Sequence, residues 1–206
     1  MNIVTVSREF GSGGREVGKR LADELGFDYY DREIISAIAQ EANMDAGYVE
    51  HVLENSLHYS YPITFSHTLS LNCFINSSAP QLLGIQHKIL RSLADKGNCV
   101  IVGRSADAIL EMYKPFRVFV YADMEAKLTR CRQRASADEH LTDRELERKI
   151  RQIDKNRADN HDLIASSRWG DRAGYDLCIN TTNISIKEIV PSVADYARHF
   201  FANRTE

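Results

Sequence analysis

Ile3-Val4-Thr5-Val6-Ser7-Arg8-Glu9-Phe10-Gly11-Ser12-Gly13-Gly14-Arg15-Glu16 is the stretch whose reading decides the fold. Ile3 to Val6 is a short β-branched run that reads as a strand and ends in a glycine cluster. Beyond the glycines, Val17, Leu21 and Leu25 fall on one helical face, and Gly26 follows where a helix would end. The opening is therefore strand, glycine loop, helix. Glycines in that setting let backbone N–H groups converge on an anion, and the helix N-terminus adds its partial positive charge. Gly11, Ser12, Gly13, Gly14, Arg15 and Glu16 form a candidate phosphate cradle. The usual pattern G-x-x-x-x-G-K-[ST] is not met, because Gly14, Arg15 and Glu16 stand where lysine and then serine or threonine are expected. Arg15, or Arg8 just before the loop, is the candidate for the missing charge, since a guanidinium can grip phosphate oxygens bidentately.

Outward from this unit the alternation continues. Phe27 to Tyr30 suits a second strand, and Ile34, Ile35, Ile38 and Ala39 recur at helical spacing after it. Asn98 to Val102 and Phe116 to Tyr121 are short and uniformly apolar, as expected of buried parallel strands. Asp176 to Asn180 makes a fifth strand. Ser185 with Glu188 has the pattern of a capping box opening a last helix, in which Pro191 is a misfit. Strands alternating with helices predict an α/β fold of three layers, a five-stranded parallel sheet with helices on both faces and ligands at the carboxyl ends of the strands. Two segments interrupt it. About 44–80 is rich in Tyr, His, Ser and Asn, and reads as a helical substrate-binding insertion. About 130–168 carries many arginines, and Thr142 with Glu145 forms a second capping box there. The expected organisation is one domain over 1–206, with a core of 1–43 and 81–206.

With 206 residues and 43% hydrophobic content, the chain can bury one core. A net charge of −3 and a pI near 6.2 argue against a general binder of nucleic acid or anionic membrane. Four separated cysteines without a C-x-x-C pair, and seven histidines without ligand spacing, suggest neither a disulfide framework nor a protein metal site. Apolar runs are too short for a signal peptide or a membrane span, so a cytoplasmic location is expected. Trp169 reads as a packing residue.

Three further signals carry chemistry. Val100-Ile101-Val102-Gly103-Arg104 delivers Arg104 at the carboxyl end of a strand, where an anion is expected. Arg130 and Arg134 are one helical turn apart, and two guanidiniums on one face suit a transferring phosphoryl group. Asp154 and Arg157 extend the same region. A dinucleotide-binding reading is weaker, because Gly11, Gly13 and Glu16 occupy the positions of G-x-G-x-x-G.

These pieces, in this order, resemble the cytidylate kinase-like family, a branch of the P-loop nucleoside-monophosphate kinases. The resemblance runs from Val4-Thr5-Val6-Ser7-Arg8-Glu9-Phe10-Gly11-Ser12-Gly13-Gly14-Arg15-Glu16 through Gly103-Arg104 and Val118-Phe119-Val120-Tyr121-Ala122 to Tyr175-Asp176-Leu177. It implies a P-loop fold with ATP at the glycine loop, magnesium, a nucleoside monophosphate or similar small phosphorylated acceptor near Arg8, Asp31, Arg104 and Asp154, and a lid carrying Arg130, Arg134 and Arg157. Arg15, Arg130, Arg134 and Arg157 are the expected catalytic set. The departures are specific. True cytidylate kinases carry Asp-[Ser/Thr]-Gly where Asp31-Arg32-Glu33 stands, and Gly-Arg-Asp where Gly103-Arg104-Ser105 stands. The competing reading is a catalytically weak nucleotide-binding regulatory module of the same fold, which the absent lysine favours and the retained arginines oppose. An oligomer is compatible with either.

Overall fold

The computed structural model describes residues 1–55, 78–135 and 141–204. The chain divides into two compact units, Met1–Asp31 with Leu90–Glu206, and Arg32–Ile89.

The first unit holds five strands, β1 (Ile3–Arg8), β2 (Asp28–Tyr30), β3 (Cys99–Val102), β4 (Phe116–Tyr121) and β5 (Leu177–Asn180). They form one sheet in the order β2-β3-β1-β4-β5, and every pairing is parallel. β1 is central: Val6 pairs with Val102 on one side and Val118 on the other. Side chains on a strand alternate between faces. Val4 and Val6, with Val100, Val102, Val118 and Val120, build one core, against which α1 (Gly14–Leu25) sets Val17 and Leu21 and α8 (Ile186–Ala202) sets Val190 and Val193. All of these are buried. Thr5 and Ser7, also buried, alternate with Val4 and Val6 along β1.

The expected strands are all present, with ends shifted by a residue or two as hydrogen-bond ladders require. Gly26 caps α1 at φ 69, as its position predicts. The capping box of Thr142 and Glu145 opens α7 (Asp143–Asp162), both reciprocal bonds being made. The Ser185 box fails. Ser185 stands at the N-cap of α8 but its side chain makes no capping hydrogen bond, so the pattern marks the helix start without supplying the bond. The helix runs on through Pro191. Trp169 packs edge-on against Phe119, with ring centroids 5.2 Å apart. The other helices of this unit are α5 (Ala106–Ile109) and α6 (Met124–Arg134).

The second unit contains α2 (Glu33–Ala42), α3 (Ala46–Asn55) and the first part of α4 (Ser78–Asp95). Ile34, Ile35 and Ile38 are buried in α2, and Val49, Val52 and Leu53 in α3. The insertion expected at about 44–80 falls in this unit, and its residues 56–77 lie outside the described residues, as do 136–140 of the expected lid. No helix among the described residues is long and apolar enough to cross a membrane.

Candidate functional site

Because all five strands run the same way, their carboxyl ends share one edge of the sheet. That edge collects Arg8 at the end of β1, Asp31 just beyond β2, Gly103-Arg104 just beyond β3, and Thr181 just beyond β5. The glycine loop leaves β1 there and leads into α1, whose N-cap is Gly13 in a left-handed conformation with no side-chain cap. A helix start without a side-chain cap leaves amides facing outward for an anion.

The loop is tightly held. Ser12 is fully buried; its Oγ donates to the Glu9 carbonyl at 2.8 Å and accepts from the Gly14 amide at 3.4 Å. Its carbonyl accepts from Thr181 Oγ1 at 2.7 Å and from an Arg130 nitrogen at 3.5 Å. Gly11, at φ 77, passes so close to α6 that a Cβ there would lie 3.1 Å from the Lys127 carbonyl and Cβ and from Cys131 Sγ. The loop glycine is needed for this approach as well as for its backbone angle.

Arg8 stands at the centre of the edge. Its guanidinium lies over Gly103, in the space a side chain at that position would take. Burial, then the positive charges of Arg157, Arg104 and Arg15, pull its pKa down to about 9, and Asp31 alone pulls the other way. An arginine remains charged at neutral pH, and the lowered value reflects first the burial of its guanidinium and then its arginine neighbours. The turn beside it is strained: Gly103, Arg104 and Ser105 follow one another at φ 78, 60 and 50. Successive left-handed residues other than glycine are costly and concentrate at functional sites.

The remaining expected residues are distributed as follows. Arg15, half exposed, points its Nε at Asp31 Oδ2, 2.5 Å away, rather than into the loop. Glu16 receives Arg134 at 2.8 Å and Arg20 at 3.0 Å, so its side chain is engaged in ion pairs. Arg130 also donates to the Thr181 carbonyl at 2.5 Å. Arg130 and Arg134 thus do face the loop from one side of α6, while Arg132 turns away to Asp143. Arg157 donates to the Arg8 carbonyl at 3.2 Å and lies 5.6 Å from the centre of the Phe10 ring. Asp154 is used inside the protein: its Oδ1 accepts from the Phe10 amide at 2.6 Å, and burial raises its pKa against the opposing pull of that amide, Lys127 and Arg157.

Sequence reasoning missed Glu9, Lys127 and Thr181. Glu9 and Lys127 are joined at 2.7 Å, and Thr181 is fully buried against Ser12. Each is an ordinary residue in its own segment, and only the register of β1, β4 and β5 brings them to the loop.

The comparisons with known proteins agree with this architecture. An uncharacterized protein from Eubacterium ventriosum superposes with a TM-score of 0.69 at 22% identity, covering 96% of this chain and 99% of that one. Shikimate kinase from Bacteroides thetaiotaomicron superposes with a TM-score of 0.59 at 14% identity, covering 96% and 98%. Shikimate kinase from Acinetobacter baumannii, in complex with shikimate, gives 0.53 at 15% identity, covering 100% and 95%. At these identities the likeness is one of fold, that of P-loop kinases. No functionally curated protein matches the chain. The model of the cytidylate kinase-like family matches residues 3–183, the span that holds the glycine loop, Arg104 and both arginine-bearing helices, and the chain belongs to that family.

Proposed function

We propose that the chain is an ATP-dependent phosphotransferase acting on a small anionic acceptor, a nucleoside monophosphate or a related compound. One observation carries this reading: Arg8, its guanidinium over Gly103, and Arg104 stand together at the carboxyl edge of the sheet where the glycine loop enters α1, an arrangement that calls for an anion. The uncapped start of α1 lies at the same edge.

The amides of the loop and of the first turn of α1 would hold the donor phosphates, with Arg130 and Arg134 beside them. Arg8, Arg104 and Asp31 would take the acceptor, and Arg157 would lie between the two. Transfer then depends on positioning and on neutralising the charge that spreads over the phosphoryl oxygens. Magnesium, when bound with ATP, supplies further neutralisation of the phosphates. Ser12 Oγ, the loop hydroxyl, is already held between Glu9 and Gly14, and among the described residues no group of three His, Cys, Asp or Glu side chains is placed to hold a metal. The fit is thus to an ion carried mainly by the nucleotide's own phosphates.

The test is ADP release with ATP and magnesium over a panel of nucleoside monophosphates, with shikimate included because of the fold neighbours. Stimulation by one acceptor is expected. ATP binding without release for any acceptor would favour the regulatory module.

A further inference from the structure

The glycine loop lacks its own lysine, yet a buried lysine from another segment lies against it. Lys127 on α6 has a side chain only 6% exposed, with Nζ 2.7 Å from Glu9 Oε2 and 3.2 Å from Asp154 Oδ2. Such an ammonium could reach out to a phosphate, or it could hold the loop. Charge decides between the two. One ammonium and two carboxylates sum to −1, and Arg157, 3.6 Å from Asp154, brings the four groups only to zero. A neutral cluster does not draw in a polyphosphate, and moving the ammonium away would leave two largely buried carboxylates short of a partner.

Its bonds point to the loop instead. Glu9 Oε2 also accepts from the Ala122 amide at 3.2 Å, and Asp154 Oδ1 accepts from the Phe10 amide at 2.6 Å. The backbone of Lys127 is itself the wall that Gly11 passes. The same spacing recurs on both helices. Lys127 precedes Arg130 by three positions on α6, and Asp154 precedes Arg157 by three on α7. Residues three apart share a helical face, and the two arginines donate to the Ser12 and Arg8 carbonyls on either flank of the loop.

We infer that Lys127 is a positioning residue for phosphate binding. Its ammonium joins Glu9 to Asp154, holds the loop from Glu9 to Gly11 in one shape, and keeps Arg130 and Arg157 turned towards it. The inference rests on the reading of the loop as the nucleotide site.

A labelled ATP analogue, titrated with magnesium at a temperature where every variant is folded, tests it alongside melting temperature. Lys127→Met is expected to bind at least tenfold more weakly than the wild type, and Lys127→Arg to recover most of the loss. In the triple variant Glu9→Gln, Lys127→Met, Asp154→Asn, no buried charge is left unpaired within the trio. That variant should regain melting temperature yet stay weak in binding. Lys155→Met, on the exposed side of α7, should match the wild type. Wild-type affinity in Lys127→Met, or in the triple variant, overturns the positioning role while leaving the nucleotide site standing. No binding by the wild-type protein removes the nucleotide reading, and this inference with it.

Discussion

His161 Nε2 lies 2.8 Å from Asp107 Oδ2, and both side chains are buried, at 2% and 6% exposure. The other Asp107 oxygen accepts from Ser7 Oγ at 3.2 Å. Asp162 meets His161 Nδ1 at 3.2 Å and accepts from the Trp169 amide at 2.7 Å. This chain of bonds ties the end of β1, the start of α5 and the last turn of α7 together. Arg104 lies three residues before Asp107 and Arg157 four before His161.

A pH dependence follows. Burial opposes a charge on His161, but the hydrogen bond and charge of Asp107, and then those of Asp162, outweigh it and raise the pKa above its ordinary value. A raised folded-state pKa gives stability that is complete below the unfolded value of about 6.5 and is lost as pH rises through the folded value. Urea midpoints should therefore fall as pH is raised from about 6.5. Asp107→Asn should flatten that slope and cost about 1–3 kcal/mol through the weakened buried bond. An unchanged slope in the variant would remove His161 as its source.

Arg8→Met keeps an apolar stem and removes a cation that its surroundings disfavour. The unliganded protein is expected to melt no lower than the wild type, because the cost of burying the charge, and then repulsion from Arg157 and Arg104, is relieved. Affinity for ATP or acceptor should fall by about 1.5–3 kcal/mol, the worth of a charge-assisted contact. Isothermal titration on the variant checks the second effect and a thermal scan the first. Retained affinity would move the anion site away from Arg8.

Gly103→Ala places a methyl group where the Arg8 guanidinium lies, at a backbone φ of 78. The left-handed backbone costs about 1–2 kcal/mol and the overpacking about 1–3 kcal/mol. Stability and anion affinity should fall together. Combined with Arg8→Met the two changes should be less than additive, because they share one space. Strict additivity in a double-mutant cycle would disprove that shared contact.

Arg15→Ala breaks the 2.5 Å pair with Asp31. With Arg15 half exposed, the pair should be worth less than about 1 kcal/mol to stability. ATP affinity is expected to fall less than in Arg8→Met, since Arg15 is turned towards Asp31. A larger loss in Arg15→Ala, measured under the same conditions, would return to Arg15 the role of the loop's missing lysine.

The fold was largely legible in the sequence because its signals are local. A strand announces itself by β-branched residues over four to six positions, as Ile3 to Val6 and Phe116 to Tyr121 do. Gly26 and the Thr142–Glu145 box mark helix ends through bonds made within a few residues. Such features need no knowledge of what lies elsewhere in the chain, and so strand, loop, helix and the arginines at the strand ends could be placed. The Ser185 pattern failed on the same scale: spacing allows a capping bond, but the rotamer that makes it is chosen by the packing around it.

What the sequence could not determine is which side chains meet. Lys127 with Glu9, Asp107 with His161 and Thr181 with Ser12 are pairs from distant segments. They come together because the strands order themselves β2-β3-β1-β4-β5 and run parallel, which collects their carboxyl ends at one edge. The sequence alone determined that Arg8 and Arg15 flank a glycine loop and that Arg104 follows an apolar run that reads as a strand. Only the tertiary structure decided that Arg15 has a carboxylate partner, that Asp154 is occupied by the loop it supports, and that the Arg8 guanidinium lies over Gly103. The reason is that Coulomb and hydrogen-bond energies depend on distances of a few ångströms, and those distances are fixed by the packing of the whole sheet.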